Sequence, residues 1–136
     1  MPLTTVNGDV AGLSALTELT YLQLTQTAVH GNVAGLAALT ELTYLSLERT
    51  MASGDVAGLA ALINMTHLYL DRTTVSGDVA GLSSLTELTL LNLQNLGSTG
   101  VTGWPLSLAS GCSFDGPDDV YCCDGGGEDS CRDVGR

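Results

Sequence analysis

The chain contains no lysine. Four arginines stand against 15 aspartates and glutamates, giving a formal net charge of −11. A nucleic-acid partner needs clustered Lys and Arg to neutralise phosphates, and an anionic membrane surface attracts the same residues. The charge balance argues against both. Aromatic side chains are also scarce, at 4% of residues (one Trp, four Tyr, one Phe), while the apolar fraction is 44%. The core is therefore expected to be aliphatic, made of Leu, Val and Ala. Thr, Gly, Asp or Glu interrupts every apolar stretch, so none approaches the ~20 residues of a spanning helix. No signal-peptide pattern is visible at the N-terminus. The length of 136 residues suits a single ordinary domain.

What the chain does have is repetition. The segment VNGDVAGLSALTELTYLQLTQTA from Val6 recurs as VHGNVAGLAALTELTYLSLERTM from Val29, as ASGDVAGLAALINMTHLYLDRTT from Ala52, and as VSGDVAGLSSLTELTLLNLQN from Val75. Self-similarity at a fixed period implies a stack of equivalent supersecondary units, each packed on its neighbours. In the first unit the apolar positions are Leu13, Leu16, Leu19, Leu22 and Leu24. The closing pair, two residues apart, predicts a short strand with both leucines turned inward. The earlier spacing of three suits a 3-10 turn better than a strand, and Gly8 and Gly12 with their equivalents punctuate the return path.

This pattern resembles the leucine-rich repeat, over roughly Val6 to Leu108. It is most similar to the plant-type subclass, whose unit carries L-x-G-x-I-P before the leucines, and to GDVAGL-bearing repeats of algal proteins. Here the element reads Val75-Ser76-Gly77-Asp78-Val79-Ala80, with Ala in place of Pro, and the unit is one residue shorter. Thr27, Thr50 and Thr73 stand where the family places a ladder Asn; a threonine hydroxyl can still donate and accept inside the turn. The resemblance implies an α/β solenoid: a right-handed stack with a parallel concave sheet and an irregular or 3-10 convex side. The domain is expected over residues 1–111, with an acidic Gly- and Cys-rich cap or tail over 112–136. Met1 aligns within a repeat and MPLTT is no polar cap, so the chain is expected to be the C-terminal part of a longer array. Leu96 breaks the fourth unit, and Trp104 is expected to close the end of the core.

On such a sheet the residues flanking the core leucines form columns. One contains Tyr21, Tyr44, His67 and Leu90, and the next Gln23, Ser46, Tyr69 and Asn92. Beyond them lie Thr25, Glu48, Asp71 and Gln94, then Gln26, Arg49, Arg72 and Asn95. Alternation points most of them outward. Tyr21, Tyr44, His67 and Tyr69 would make an amphipathic patch, with Glu48, Arg49, Asp71 and Arg72 adding charge selectivity; tyrosine and arginine are common interface anchors. The bland alternative is that the tyrosines stack along the sheet and the charges pair across strands. The resemblance implies that a protein or peptide ligand is recognised on this face.

Catalysis is not expected. His30 and His67 lack a Ser or Cys partner at a nucleophilic spacing, and GDVAGL is not a phosphate loop, which requires GxxxxGK[ST]. No cofactor is implied. Cys112, Cys122, Cys123 and Cys131 are spaced C-x₉-C-C-x₇-C, unlike zinc sites. An even count in a Gly-rich tail fits two disulfides and an oxidising compartment. Cys112–Cys122 with Cys123–Cys131, or Cys112–Cys123 with Cys122–Cys131, both avoid a strained vicinal bridge. The resemblance likewise implies an extracellular disulfide cap, and a receptor-like or receptor-kinase parent. Asn64-Met65-Thr66 is an N-glycosylation sequon, consistent with an extracellular or cell-surface location. Seven carboxylates between Asp115 and Asp133 lack EF-hand spacing and read as a solvated acidic tail rather than a metal site. The competing reading is a structural or ice-binding solenoid, which would need a flat, outward array of threonines.

Overall fold

The structure, a computed structural model, describes residues 7–93, 101–103, 106–107, 113–114 and 120–122. Each repeat contributes two strands and one 3-10 helix. Strands β2 (Tyr21–Gln23), β4 (Tyr44–Ser46), β6 (His67–Tyr69) and β8 (Leu90–Asn92) pair in parallel to form the concave sheet. A second parallel sheet runs β1 (Asn7–Asp9), β3 (Ala28–Asn32), β5 (Met51–Asp55), β7 (Thr74–Asp78) and β9 (Val101–Thr102). The 3-10 helices Val10–Leu13, Val33–Leu36, Val56–Leu59 and Val79–Leu82 follow the strands of that second sheet. The return side is therefore more ordered than a run of 3-10 turns, because the strands that end at Asp9, Asn32, Asp55 and Asp78 pair from repeat to repeat before each helix begins.

The spacing-three leucines form tight turns. Leu39 N–H donates to Leu36 O and Leu42 N–H to Leu39 O, each at 3.0 Å. These i→i+3 bonds turn Leu36, Leu39 and Leu42 to one side, where they meet Leu45 and Leu47 from the strand. All five are fully buried, as are Leu59, Leu62, Met65, Leu68 and Leu70 one repeat later. Burying each such side chain contributes about 1.5–3 kcal/mol. In the first repeat Leu13, Leu19, Leu22 and Leu24 are only partly buried and Leu16 is 50% exposed, since among the described residues this unit is covered by a repeat on one side only.

The recurrent GDVAGL element is a joint between repeats. Asp9, Asn32, Asp55 and Asp78 each cap a 3-10 helix, the side-chain Oδ1 accepting from the backbone N–H two residues on at 2.8 Å. This satisfies an orphan donor of the helix start. Gly54 has φ +98°, and the side chain of Asn32 from the preceding repeat occupies the space its Cβ would take. A Cβ on Gly58 would lie 2.8 Å from Ala34 Cβ and 2.9 Å from Ala34 Cα. Small residues on both sides of this contact set how closely the units approach. Val33, Val56 and Val79, between the two glycines, are fully buried.

The ladder threonines face inward. Thr50 and Thr73 are 6% and 4% exposed, and their hydroxyls donate to Leu47 O and Leu70 O at 2.6 Å. Thr27 makes the same bond to Leu24 O at 2.7 Å. These threonines thus form no outward array of the kind an ice-binding face requires.

The far edge of the concave sheet does not stay open. Strand β12 (Val120–Cys122) pairs antiparallel with β8, with Tyr121 opposite Leu91. This supplies partners for a sheet edge that would otherwise present unpaired backbone groups. Another antiparallel pair joins β10 (Leu106–Ser107) to β11 (Ser113–Phe114). Only the backbone of Cys122 is described; Cys112, Cys123 and Cys131, the expected disulfide partners, lie outside the described residues, as do Leu96, Trp104 and most of the acidic tail. Among the described residues no helix is long and apolar enough to cross a membrane.

Candidate concave-face binding site

The columns follow from the register. Tyr21 pairs with Tyr44, Tyr44 with His67, and His67 with Leu90; Gln23, Ser46, Tyr69 and Asn92 align in the same way. The ladder continues past the strand ends: Gln26 N–H donates to Glu48 O at 3.0 Å and Arg49 N–H to Asp71 O at 3.1 Å. Glu48 and Asp71 therefore sit beside one another, as do Arg49 and Arg72. Gln26, Arg49 and Arg72 adopt φ of 59°, 59° and 58°, an uncommon left-handed conformation for residues with a side chain. It ends each strand and starts the turn toward the ladder threonine. Gln94 and Asn95, the last members of these columns, lie outside the described residues.

The aromatic side chains meet. The Tyr21 and Tyr44 rings stack with centroids 4.3 Å apart and planes 10° from parallel. Tyr44 also stands 5.9 Å from His67 and 5.6 Å from Tyr69, the latter tilted by 47°. Hydrogen bonds hold the margin of this cluster. Tyr21 Oη donates to Gln23 Oε1 at 2.8 Å, and the Thr25 and Ser46 hydroxyls are 2.9 Å apart. His67 Nδ1 lies 2.9 Å from Thr66 Oγ1.

Exposure along the columns is graded, and this corrects the expectation of outward projection. Tyr21 is 55% exposed, whereas Tyr44 and His67 are half-buried. Ser46, Tyr69, Asp71, Leu90 and Asn92 are buried. Alternation fixes which side of the sheet a residue leaves from, but not what it meets there. Inner strands are flanked on both sides, so the side chains of the middle repeats cover one another, and the β8 backbone is paired with β12 at the far edge.

That burial perturbs the ionisable groups. Burial, followed by the charges of Tyr69 and Tyr21, holds the Tyr44 phenol well above its ordinary value. Tyr69 is raised for the same first reason and then by Glu48 and Asp71. Asp71 is pushed up to about 6 by burial, then by the charge of Glu48, and further by a hydrogen bond with it; a backbone hydrogen bond and Arg72 act in the opposite sense. Arg49 and Arg72 are exposed, and neither forms an ion pair with a carboxylate among the described residues. The alternative of charges paired across strands does not occur among the described residues; like carboxyls, Glu48 and Asp71, hold neighbouring positions instead. The candidates Tyr21, Tyr44, His67, Tyr69, Glu48, Arg49, Asp71 and Arg72 do share one face, but Tyr69 and Asp71 lie under it rather than on it. The polar margin of Gln23, Thr25 and Ser46 escaped the sequence reading, although its column positions were legible.

No protein-family model matches the sequence, and no curated protein matches it significantly. Solved structures do. The chain is similar to the plant peptide hormone receptor RGFR1, solved in complex with RGF2, with a TM-score of 0.60 and 22% identity over 76% of this chain and 16% of that one. It is similar to the BIR2 ectodomain from Arabidopsis thaliana, with a TM-score of 0.58 and 23% identity over 78% and 68% of the two chains. It is also similar to internalin C2 from Listeria monocytogenes, with a TM-score of 0.57 and 28% identity over 78% and 51%. The fold is a leucine-rich-repeat solenoid. A leucine-rich-repeat stack of this kind can be extended by adding units, which accounts for good agreement with much longer chains. This chain spans only 12–17% of the length of the first three receptors it resembles.

Proposed function

We propose that this leucine-rich-repeat solenoid is a non-catalytic module that binds a protein or peptide along its concave sheet, within a secreted or cell-surface protein of receptor type. The observation that carries the reading is the Tyr21–Tyr44 stack at 4.3 Å. It places a large, exposed aromatic surface on a rigid sheet, continued by half-buried His67. Tyrosine gives large contact area at a low cost in conformational entropy. The polar groups beside it are already engaged with one another, Ser46 with Thr25 and His67 with Thr66, an arrangement suited to contact rather than to nucleophilic chemistry. Complexes among the similar structures support a peptide as ligand: one is titled as RGFR1 with RGF2, another as HAESA with the peptide hormone IDA and the co-receptor SERK1.

The same reading takes residues 1–111 as the binding domain and 112–136 as its C-terminal cap, closed by disulfides among Cys112, Cys122, Cys123 and Cys131. Asn64 is exposed, as a glycan acceptor must be, and its Nδ2 donates to Thr40 O at 3.1 Å.

A random-peptide display selection against the full chain tests the function. Peptides recovered should compete for the concave face, and Tyr21→Ala should weaken them by about 5–30-fold, a hot-spot loss of ~1–2 kcal/mol. Binders insensitive to Tyr21→Ala and Tyr44→Ala that map to the 3-10 side would overturn it.

A further inference from the structure

Glu48 and Asp71 occupy the same position in successive repeats, on neighbouring rungs of the ladder in which Gln26 N–H donates to Glu48 O and Arg49 N–H to Asp71 O. An ionised carboxylate can only accept hydrogen bonds, so neither group can satisfy the other while both are charged. Asp71 is 5% exposed, and its Oδ1 has no hydrogen-bond partner. Neither carboxyl has a cation in contact among the described residues. A buried carboxylate oxygen without a hydrogen-bond donor is costly, and a cationic donor would relieve that cost. The rings of Tyr44 and Tyr69, with centroids 5.6 Å apart, belong to the same cluster. Tyr69 is near enough to feel both carboxyls, and Tyr44 to feel Glu48.

We propose that Glu48 and Asp71 form the anionic seat for an arginine side chain of a bound peptide, with the Tyr44 and Tyr69 rings as its aromatic wall. The inference rests on the concave face being the ligand surface and names the chemistry it selects. A guanidinium fits better than a metal ion. Calcium takes six to eight oxygen ligands, and no group of three or more ligating side chains occurs among the described residues. Guanidinium is planar and weakly hydrated, presents a fork of donors to carboxylates, and stacks on aromatic faces. Half-buried Glu48 moves aside to admit it, and a proton held on Asp71 leaves to solvent as the guanidinium binds. Arg72, whose charge also reaches Asp71, and Arg49 on the neighbouring turn limit the seat to a single cation.

The test titrates the full chain with N-acetyl-arginine N-methylamide and with its lysine and citrulline counterparts, following tyrosine-ring and carboxyl resonances by NMR. The arginine probe should give saturable shifts at Tyr44, Tyr69 and Asp71, the lysine probe weaker ones, and the uncharged citrulline probe none. Affinity for arginine should fall about tenfold from pH 7 to pH 5 as Asp71 takes up its proton. Glu48→Gln and Asp71→Asn should each remove the shifts while leaving the amide fingerprint folded. Arginine shifts no larger than those of citrulline, or shifts spread over Glu18, Asp55 and Asp78 that survive in both variants, would overturn the seat. If display against the concave face then yields peptides without arginine, the seat alone has failed; if no peptide engages that face, the function above has failed with it.

Discussion

The Tyr21 and Tyr44 rings lie 10° from parallel with centroids 4.3 Å apart, although the residues are a full repeat apart in sequence. Register places them opposite one another, and the parallel ladder gives both side chains the same exit direction. Tyr21 is the more exposed member, so its removal should trouble the fold little. Tyr21→Ala is expected to cost about 0.5–1.5 kcal/mol of stability, the range for an aromatic pair. Urea unfolding measures it, and a loss above about 3 kcal/mol would mean that the ring belongs to the core rather than to a surface.

The joint between repeats predicts unequal responses from chemically identical substitutions. Gly54→Ala meets both a positive φ and the Asn32 side chain, and Gly58→Ala meets the Ala34 backbone. Each should destabilise by about 1–3 kcal/mol. A Cβ at Gly12 would have nothing within 4 Å, so Gly12→Ala should stay within about 0.5 kcal/mol of the parent. Equal effects at all three positions in chemical denaturation would refute the close inter-repeat contact.

Capping of the 3-10 helices can be separated from charge. Asp55→Ala removes the acceptor for Ala57 N–H and should cost about 0.5–2 kcal/mol. Asp55→Asn should cost far less, because Asn32 caps Ala34 N–H at the same 2.8 Å. Thermal melts of the two variants decide the point; indistinguishable losses would place the role of Asp55 in its charge.

Asp71 makes stability depend on pH in a defined direction. Its folded value, about 6, lies above the ordinary 3.8, so the native state binds the extra proton between these limits. The contribution is fully present below pH 3.8 and is lost as pH rises through about 6. Relative to the parent, Asp71→Asn should therefore flatten the fall in stability between pH 4 and pH 7. Parallel stability profiles for the two proteins across that window would show that Asp71 titrates normally.

How much of this was legible beforehand differs residue by residue. Leu45, Leu47, Leu68 and Leu70 were identifiable as core from their spacing alone, since alternation in a short strand leaves them no other side. Thr50 and Thr73 were placed inward by alignment with the family's ladder position, and they are buried there. The columns themselves, Tyr21 beside Tyr44 and Glu48 beside Asp71, follow from the period and needed no coordinates. The burial of Tyr69 and Asp71 was not legible, nor was the antiparallel strand Val120–Cys122 that pairs with Leu90–Asn92.

The sequence by itself determined the repeat, its register and the aliphatic core, because these depend on spacing along the chain and on contacts between identical units. Tertiary structure alone decided which column residues remain open to a partner. Exposure depends on what neighbouring strands cover, and their separation is set by the stacking of the Asn32–Gly54 and Ala34–Gly58 joints. The columns of the repeat thus become, once stacked, an exposed Tyr21 at one end and half-buried Glu48 beside buried Asp71 toward the other.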